Sequence, residues 1–407
     1  MSLGRARCCR ILPINRVPPR AAGAAGVSRP AGRIPPPRLV GIDVARGLAV
    51  LGMFVAHLGE DGPGGRHDPE WFVIADGRSS ALFALLAGLS LALTSGRQVL
   101  PSGATLIRAR IAAFVRAGLL LLIGSFLVAL GTPVLVILPA YAVLFALAVP
   151  FLALRRRWLV LGGVAAAVIS PTVIFALTTP TADGRPSVLA DLTGMSDPVR
   201  LPMDEFVTGP YPALVFLAYV LLGMAVGRSD LSRVRTHAVL VGAGTALAFI
   251  GWGTSYLAQD SLGPDATPLA SRLVSAAAHD NSSLEVLGNS GTSLVVIGLC
   301  LLLTRPTTRR GRTFANGLAP IAATGAMPLT VYSLQIVAIF LLGNDVVWNP
   351  RSNAVLIWFI ATVLIGSWSW RLLLGRGPLE RLLKAAVDTT LASLAPQSRR
   401  RGPHPGD

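Results

Sequence analysis

About ten apolar stretches, each long enough to cross a bilayer as a helix, constrain the fold of this chain. Hydrophobic residues make up 52% of the sequence and charged residues only 14%, and the mean hydropathy is +0.61. Such a composition is too apolar for a soluble globular protein of this length. The sequence therefore predicts an all-α, polytopic membrane bundle whose helices lie near residues 40–58, 79–95, 111–130, 133–153, 158–178, 211–227, 237–257, 285–304, 317–342 and 353–374.

The charge of the loops alternates along the chain. Arginine clusters, as at 155–157 and 305–312, alternate with acidic loops, as at 59–78 and 179–210. By the positive-inside rule, both termini are predicted to be cytoplasmic. Lys384 is the only lysine beside many arginines, alanines and glycines. This usage is typical of a high-GC bacterial genome, so the predicted location is a bacterial plasma membrane.

The basic character of the chain does not indicate nucleic-acid binding. The isoelectric point is about 11.3, but the arginines form short clusters between apolar runs and no basic face with interleaved aromatic residues. Cys8, Cys9 and Cys300 show no spacing typical of a metal site or a disulfide framework. We therefore predict neither a nucleic-acid partner nor a metal cofactor.

The two ends of the chain are predicted to lie outside the bundle. Residues 1–37 are basic, rich in proline and glycine, and without sustained periodicity, so they are predicted to be disordered. They differ from a signal peptide because the first apolar run comes late and lacks a small-residue cleavage site. Residues 389–407 are predicted to form a second disordered tail.

The first apolar helix carries three ionisable residues. Asp43 and Arg46 lie at its start, and His57 lies about 21 Å further along at 1.5 Å per helical residue. Ionisable groups within a membrane segment are costly, so each is a candidate functional residue. The structural alternative is an Asp43–Arg46 ion pair that anchors the helix at the interface, with His57 among the lipid headgroups.

Further polar residues are candidates for contact with a substrate or cofactor. Asp76 and Arg78 lie at the start of the second helix, where Asp76 could equally cap the helix N-terminus. Arg116 lies inside the third apolar stretch, where a charge needs a partner or a water-filled cavity, unless its long side chain reaches the interface. Three residues in the middle of later helices could serve either substrate binding or contacts between helices, namely Asn289, Tyr332 and Gln335.

Four motifs carry a resemblance to known membrane families. D-V-A-R-G-L-A at 43–49, followed by His57, resembles the first-helix signature of the transmembrane acyltransferase superfamily. W-F-V-I-A-D-G-R-S-S-A-L-F-A-L-L-A-G at 71–88 is similar to the catalytic domain of heparan-α-glucosaminide N-acetyltransferase and its bacterial relatives. G-A-M-P-L-T-V-Y-S-L-Q at 325–335 and G-P-L-E-R-L-L at 377–383 resemble the C-terminal domain of bacterial YeiB-like membrane proteins.

This resemblance implies an acyltransferase-like membrane domain at 38–210, a YeiB-like membrane domain at 211–388, and acyl transfer across the membrane. The implied donor is a cytoplasmic acyl-CoA, acetyl-CoA in the simplest case, and the implied acceptor is a cell-envelope glycan or glycolipid. Arg46 and Arg116 are the residues expected to contact the donor.

The resemblance also implies that a histidine is the general base. His57 matches the catalytic-histidine position of the superfamily, whereas the active histidine of the heparan-acetylating enzyme lies in the following loop, where this chain has His67. Imidazole suits attack on a thioester because it titrates near neutral pH, and Asp76 is among the acids that could orient it. His57 and His67 remain alternatives. His237 and His279 match no such position and are predicted to be an interfacial and an outer-loop residue.

Two other classes of function remain open. A transporter or flippase of a lipid-linked or small-molecule substrate would suit about ten helices interrupted by glycine and proline, although the sequence shows no strong symmetry between its halves. A non-catalytic partner in cell-envelope assembly is the third class. The sequence has no zinc motif, P-loop, nucleotide fingerprint or nucleophile elbow. The other expected partner is the lipid bilayer, and a homodimer is an open alternative to a monomer.

Single cysteines test the predicted orientation. A membrane-impermeant thiol reagent should label Gly64→Cys and Asp265→Cys in intact cells and spare Arg156→Cys and Arg310→Cys, because arginine clusters are retained in the cytoplasm. Labelling of Arg156→Cys in sealed cells would contradict the scheme.

Overall fold

The computed structural model describes residues 39–59, 74–179, 209, 211–263, 267–348 and 352–394. These residues form helices and no β-strand. His67 and both terminal segments, apart from the helical start of the second, lie outside the described residues. The helices are α1 (Val40–Leu58), α2 (Arg78–Thr94), α3 (Gly103–Ala129), α4 (Leu138–Ala148), α5 (Arg156–Thr178), α6 (Ala213–Gly227), α7 (Val234–Ser261), α8 (Pro268–Val274), α9 (Ser283–Leu303), α10 (Arg309–Gly317), α11 (Ala319–Ala326), α12 (Pro328–Leu342), α13 (Asp345–Trp348), α14 (Ala354–Leu373) and α15 (Pro378–Ser393).

The described helices confirm the prediction of a helical membrane bundle. Each of the predicted apolar stretches coincides with a helix or a pair of consecutive helices. Among the described residues, 6 helices are long and apolar enough to cross a membrane, or up to 7 if α11 and α12 are one broken span. Three further apolar units, α2, α4 with the 3₁₀ turn that follows it, and α6, are shorter. The orientation of the bundle stays a prediction.

The segment predicted as one helix over 317–342 differs from that prediction. It consists of α11 and α12, which meet at an angle of 85°. The bend lies at Met327 and Pro328, because proline has no N–H to continue the helix and disfavours the helical conformation in the residue before it. Two other helices also extend beyond their predicted bounds. Helix α3 begins at Gly103, so the loop arginines Arg108 and Arg110 are helical, and α15 carries the chain to Ser393.

Glycines allow the central helices to pack with their backbones in contact. A Cβ at Gly88 of α2 would overlap the backbone of Val220 in α6, and a Cβ at Gly223 of α6 would overlap that of Leu85 in α2. Helices in a bilayer associate by this kind of close packing, because lipid provides no hydrophobic driving force between them. The α2–α6 pair therefore forms a rigid centre for the elements around it.

The outer helices present apolar side chains to their surroundings. Only 11% of the apolar window of α14 is buried, against 61% of that of α9. Large exposed residues such as Phe126, Phe249 and Trp358 lie on the outer helices α3, α7 and α14. A continuous apolar exterior of this kind fits contact with lipid, which supports a membrane location for the whole bundle.

Gly325 should be the glycine least tolerant of substitution at the crossing of α1 and α11. A Cβ at this position would overlap the carbonyl oxygen of Asp43 and the backbone nitrogen of Gly47. Gly325→Ala should therefore lower stability by roughly 1–3 kcal/mol and the unfolding temperature in detergent with it. Gly118→Ala in α3 is the matched control, because no atom lies within 4 Å of its Cβ position and alanine favours a helix. Equal unfolding temperatures for the two variants would refute the proposed close packing.

Candidate functional site

Two cavities lie at opposite ends of α2. The first, here called the histidine cavity, has a volume of about 100 Å³ and is lined by residues that include His57, Ser79, Ser80, Pro133, Tyr211 and His279. The second, here called the arginine cavity, has a volume of about 280 Å³ and is lined by residues that include Arg46, Ser90, Arg116, Tyr141, Tyr332 and Glu380.

A thin layer of protein separates the two cavities. Tyr141 lines the arginine cavity and donates its hydroxyl to the carbonyl oxygen of Ser80, which lines the histidine cavity, at 3.3 Å. The hydroxyl of Tyr332 accepts the backbone N–H of Ile137 at 3.1 Å. Along α1, Arg46 and His57 are eleven residues apart, or about 16 Å. The cavities therefore follow one another along the bundle, and the hydroxyl of Tyr141 in the arginine cavity contacts a residue that lines the histidine cavity.

Arg46 is held by three elements. Its guanidinium forms the predicted ion pair with Asp43 at 3.2 Å and donates to the carbonyl oxygen of Gly325 at 2.9 Å and to the hydroxyl of Ser90 at 3.0 Å. These partners belong to α1, α11 and α2. The contacts join the three helices, which favours the structural interpretation of the Asp43–Arg46 pair.

Arg116 is the other cation of the arginine cavity. It projects from α3, is partly buried, and has the carboxylate of Asp388 in α15 as a charged neighbour, but it makes no hydrogen bond to any described residue. Glu380 of α15 lines the same cavity, but its carboxylate accepts the backbone N–H groups of Leu329 and Thr330 at 2.8 and 3.2 Å and so caps α12. Arg116 is therefore the group best placed to bind an added anion.

His57 lies in the histidine cavity beside an amide. The side-chain nitrogen of Gln335 is 3.4 Å from Nδ1 of His57, which joins α12 to α1. The side-chain oxygen of Gln335 is buried and has no hydrogen-bond partner among the described residues. Two predicted residues, far apart in sequence, thus meet at this cavity.

Asp76 precedes α2 and contacts a histidine that is distant in sequence. Gly77 is the N-cap residue of α2, and the hydroxyls of Ser79 and Ser80 donate to backbone carbonyls. The carboxylate of Asp76 lies 3.0 Å from Nε2 of His279, a residue to which the sequence assigned no function. Asp76 therefore joins the start of α2 to the turn before α9.

Tyr211 completes this end of the cavity. Its ring meets that of His279 edge to face, with 5.8 Å between centroids. Burial raises the pKa of the Tyr211 phenol above its ordinary value, so the group remains a neutral hydroxyl at physiological pH.

The other predicted polar residues belong to contacts between helices. The guanidinium of Arg78 stacks on the ring of Trp252 at 4.5 Å from its centroid. Asn289 donates to Glu285 at 3.1 Å and lies 3.5 Å from the hydroxyl of Tyr219. Within the described part of the chain, no group of three or more histidine, cysteine, aspartate or glutamate residues could hold a metal ion.

No local sequence pattern indicates that His279, Tyr141 or Glu380 lines a cavity. Each faces its cavity through a contact over long sequence distance, which no local pattern records. Glu380 does lie in the motif at 377–383, the one place where a sequence feature could have identified it.

Comparison with protein families adds an independent observation. The family model described as "Heparan-alpha-glucosaminide N-acetyltransferase, catalytic" matches residues 38–258, more than half of the chain. This range includes α1 to α6, with Arg46, Arg116 and His57. It does not include His279 or Gln335. No curated protein and no solved structure matches the chain.

The two arginines should differ in their effect on stability. Arg46→Met removes three hydrogen bonds and leaves a buried carboxylate, so it should lower stability by roughly 2–4 kcal/mol. Arg116→Met, the matched control, should change the unfolding temperature little. Similar unfolding temperatures for the two proteins in detergent would contradict the structural role of Arg46.

Proposed function

Because the chain belongs to the heparan-α-glucosaminide N-acetyltransferase catalytic family, we propose that it is an acyltransferase of the bacterial plasma membrane. The proposed reaction moves an acyl group, acetyl in the simplest case, from cytoplasmic acyl-CoA to a cell-envelope glycan or glycolipid. The observation that carries the proposal is the pair of stacked cavities, with arginines at one end of α2 and histidines at the other.

The arginine cavity is the proposed donor site. A volume of about 280 Å³ suits the extended thioester arm of CoA better than the whole nucleotide, which would remain at the mouth. Arg116 makes no standard hydrogen bond to described residues, and a guanidinium binds phosphate oxygens with charge-assisted hydrogen bonds. Arg46, in contrast, contributes its positive charge from a position fixed by its own partners.

The histidine cavity is the proposed site of transfer. An amine or hydroxyl that attacks a thioester must lose a proton, and imidazole is the side chain best suited to accept it near neutral pH. His57 lines the cavity, and His67 belongs to the segment that follows α1 in the sequence. A thioester that passes between Tyr141 and Tyr332 would reach this cavity from the other side of the bundle.

A lateral groove supports a lipid-linked acceptor. It lies between α12 and α14, has a volume of about 670 Å³, and is lined by apolar residues such as Leu334, Phe359 and Val363. Gln335 also lines the groove and contacts His57. A hydrocarbon chain in this groove would therefore place its polar head close to the histidine cavity, which favours a glycolipid over a soluble glycan.

Acetyl-CoA binding to the purified protein tests the donor site. Arg116→Gln should weaken the affinity measured by calorimetry about 10-fold or more, the loss expected for one charge-assisted hydrogen bond of about 1.5–3 kcal/mol. Arg110→Gln is the matched control on the same helix, because Arg110 is exposed and lies outside the arginine cavity. Equal affinities for both variants and the wild type would exclude this cavity as the phosphate site. A wild-type protein that binds no acyl-CoA would favour a transporter.

A further inference from the structure

His279 and Asp76 form a pair in the histidine cavity that family membership does not account for. The Nε2 atom of His279 lies 3.0 Å from Oδ1 of Asp76, across 203 residues of sequence. His279 lies beyond residues 38–258, so the family match covers only one partner of the pair. Both His57 and His279 line the same cavity.

The turn that presents His279 has an unusual conformation. His279 and Asn281 both have left-handed backbones, with φ of 66° and 56°. Such a conformation costs a residue other than glycine about 1 kcal/mol and persists only where the surroundings impose it.

Glu285 imposes this conformation. Its buried carboxylate accepts the backbone N–H of His279 at 3.0 Å and that of Asn281 at 2.6 Å. The side chain of Asn281 donates to the carbonyl oxygen of His279 at 3.0 Å, and Asn289 donates to Glu285 at 3.1 Å. To cap α9, the bond that the hydroxyl of Ser282 accepts from the backbone N–H of Glu285 would suffice, and this bond is also present. The additional contacts hold the imidazole of His279 in place.

The carboxylate beside His279 suits this residue to accept a proton. A histidine that accepts a proton becomes a cation, and a neighbouring carboxylate stabilises that cation. His279 has the carboxylate of Asp76 at 3.0 Å. His57 lies in the same cavity, where its imidazole can donate a hydrogen bond.

We infer that His279, positioned by Asp76, is the general base that activates the acceptor, an inference that rests on the proposed acyltransferase function. The nitrogen or oxygen of the acceptor attacks the thioester carbonyl, and a C–N or C–O bond forms as the C–S bond breaks. The acceptor proton passes to the imidazole of His279, and from there to the departing thiolate, which leaves as CoA–SH. Asp76 remains a carboxylate throughout, and a hydrogen bond from His57 to the carbonyl oxygen would stabilise the developing negative charge.

The rates of transfer to two different acceptors distinguish a general base from a residue that has only a structural role. Glucosamine carries an amine whose proton must be removed, whereas hydroxylamine is unprotonated and strongly nucleophilic at neutral pH, so its attack depends little on a base. Purified full-length protein would be assayed with acetyl-CoA and each acceptor. His279→Gln should lose 10²–10⁴-fold in transfer to glucosamine, the usual contribution of a general base, and should keep most of its transfer to hydroxylamine. Asp76→Asn should show the same pattern with a smaller loss.

Three variants serve as references. His237→Gln should match the wild type, because His237 contacts the carbonyl oxygen of Leu231 and lines neither cavity. His57→Gln should lose transfer to both acceptors, as expected of a hydrogen-bond donor to the carbonyl oxygen. His67→Gln tests the other of the two histidines that the family resemblance offers as the base.

Each other outcome has a distinct meaning. Wild-type rates of glucosamine transfer by His279→Gln, or the base pattern in His67→Gln alone, would overturn the inference and leave the proposed function intact. Loss of transfer to both acceptors by a folded His279→Gln protein would also exclude the base role. If His279→Gln does not fold, Asp76→Asn decides by the same criterion. A wild-type protein that binds acetyl-CoA but acetylates neither of these acceptors nor a lipid-linked glucosamine would refute the proposed function itself.

Discussion

The guanidinium of Arg46 is the interaction on which the rest of the structure depends. A positive charge inside an apolar bundle is costly unless its donors are satisfied, and Asp43, Ser90 and Gly325 supply acceptors from α1, α2 and α11. The carbonyl of Gly325 can reach Arg46 because the glycine has no side chain to keep α11 away from α1. At this crossing, the buried charge of Arg46 and the close packing of α11 against α1 therefore depend on each other.

Both cavities follow from the crossing. Helix α11 is held against α1, and the chain bends by 85° at Pro328 before α12 begins. The start and the middle of α12 therefore lie beside different cavities. Its N-terminus receives the carboxylate of Glu380 and borders the arginine cavity, and Gln335 further along reaches His57. A rigid crossing thus sets the distance between the two sets of polar groups.

The sequence predicts the features that depend on local pattern. The apolar stretches and the Asp43–Arg46 pair follow from residues close together in the chain. The Asp76–His279 pair does not, because it joins residues 203 positions apart and relies on left-handed backbone in a short turn. Arg228, just after α6, is likewise buried and donates to the carbonyls of Arg97 and Leu152, both distant in sequence. Tertiary contacts determine these roles, and no spacing rule records them.

The two cavities place different charged groups at the two ends of α2. About 16 Å along α1 separates Arg46 from His57. At the histidine end, the carboxylate of Asp76 contacts His279 and also interacts with the guanidinium of Arg78. The proposed anion site and the proposed site of proton transfer can therefore coexist in one bundle. In the proposed function, a donor whose phosphates bind at the arginine cavity has to extend its thioester past Tyr141 and Tyr332. The flexible arm of a CoA donor would span such a distance without any rearrangement of the helices that Arg46 holds together.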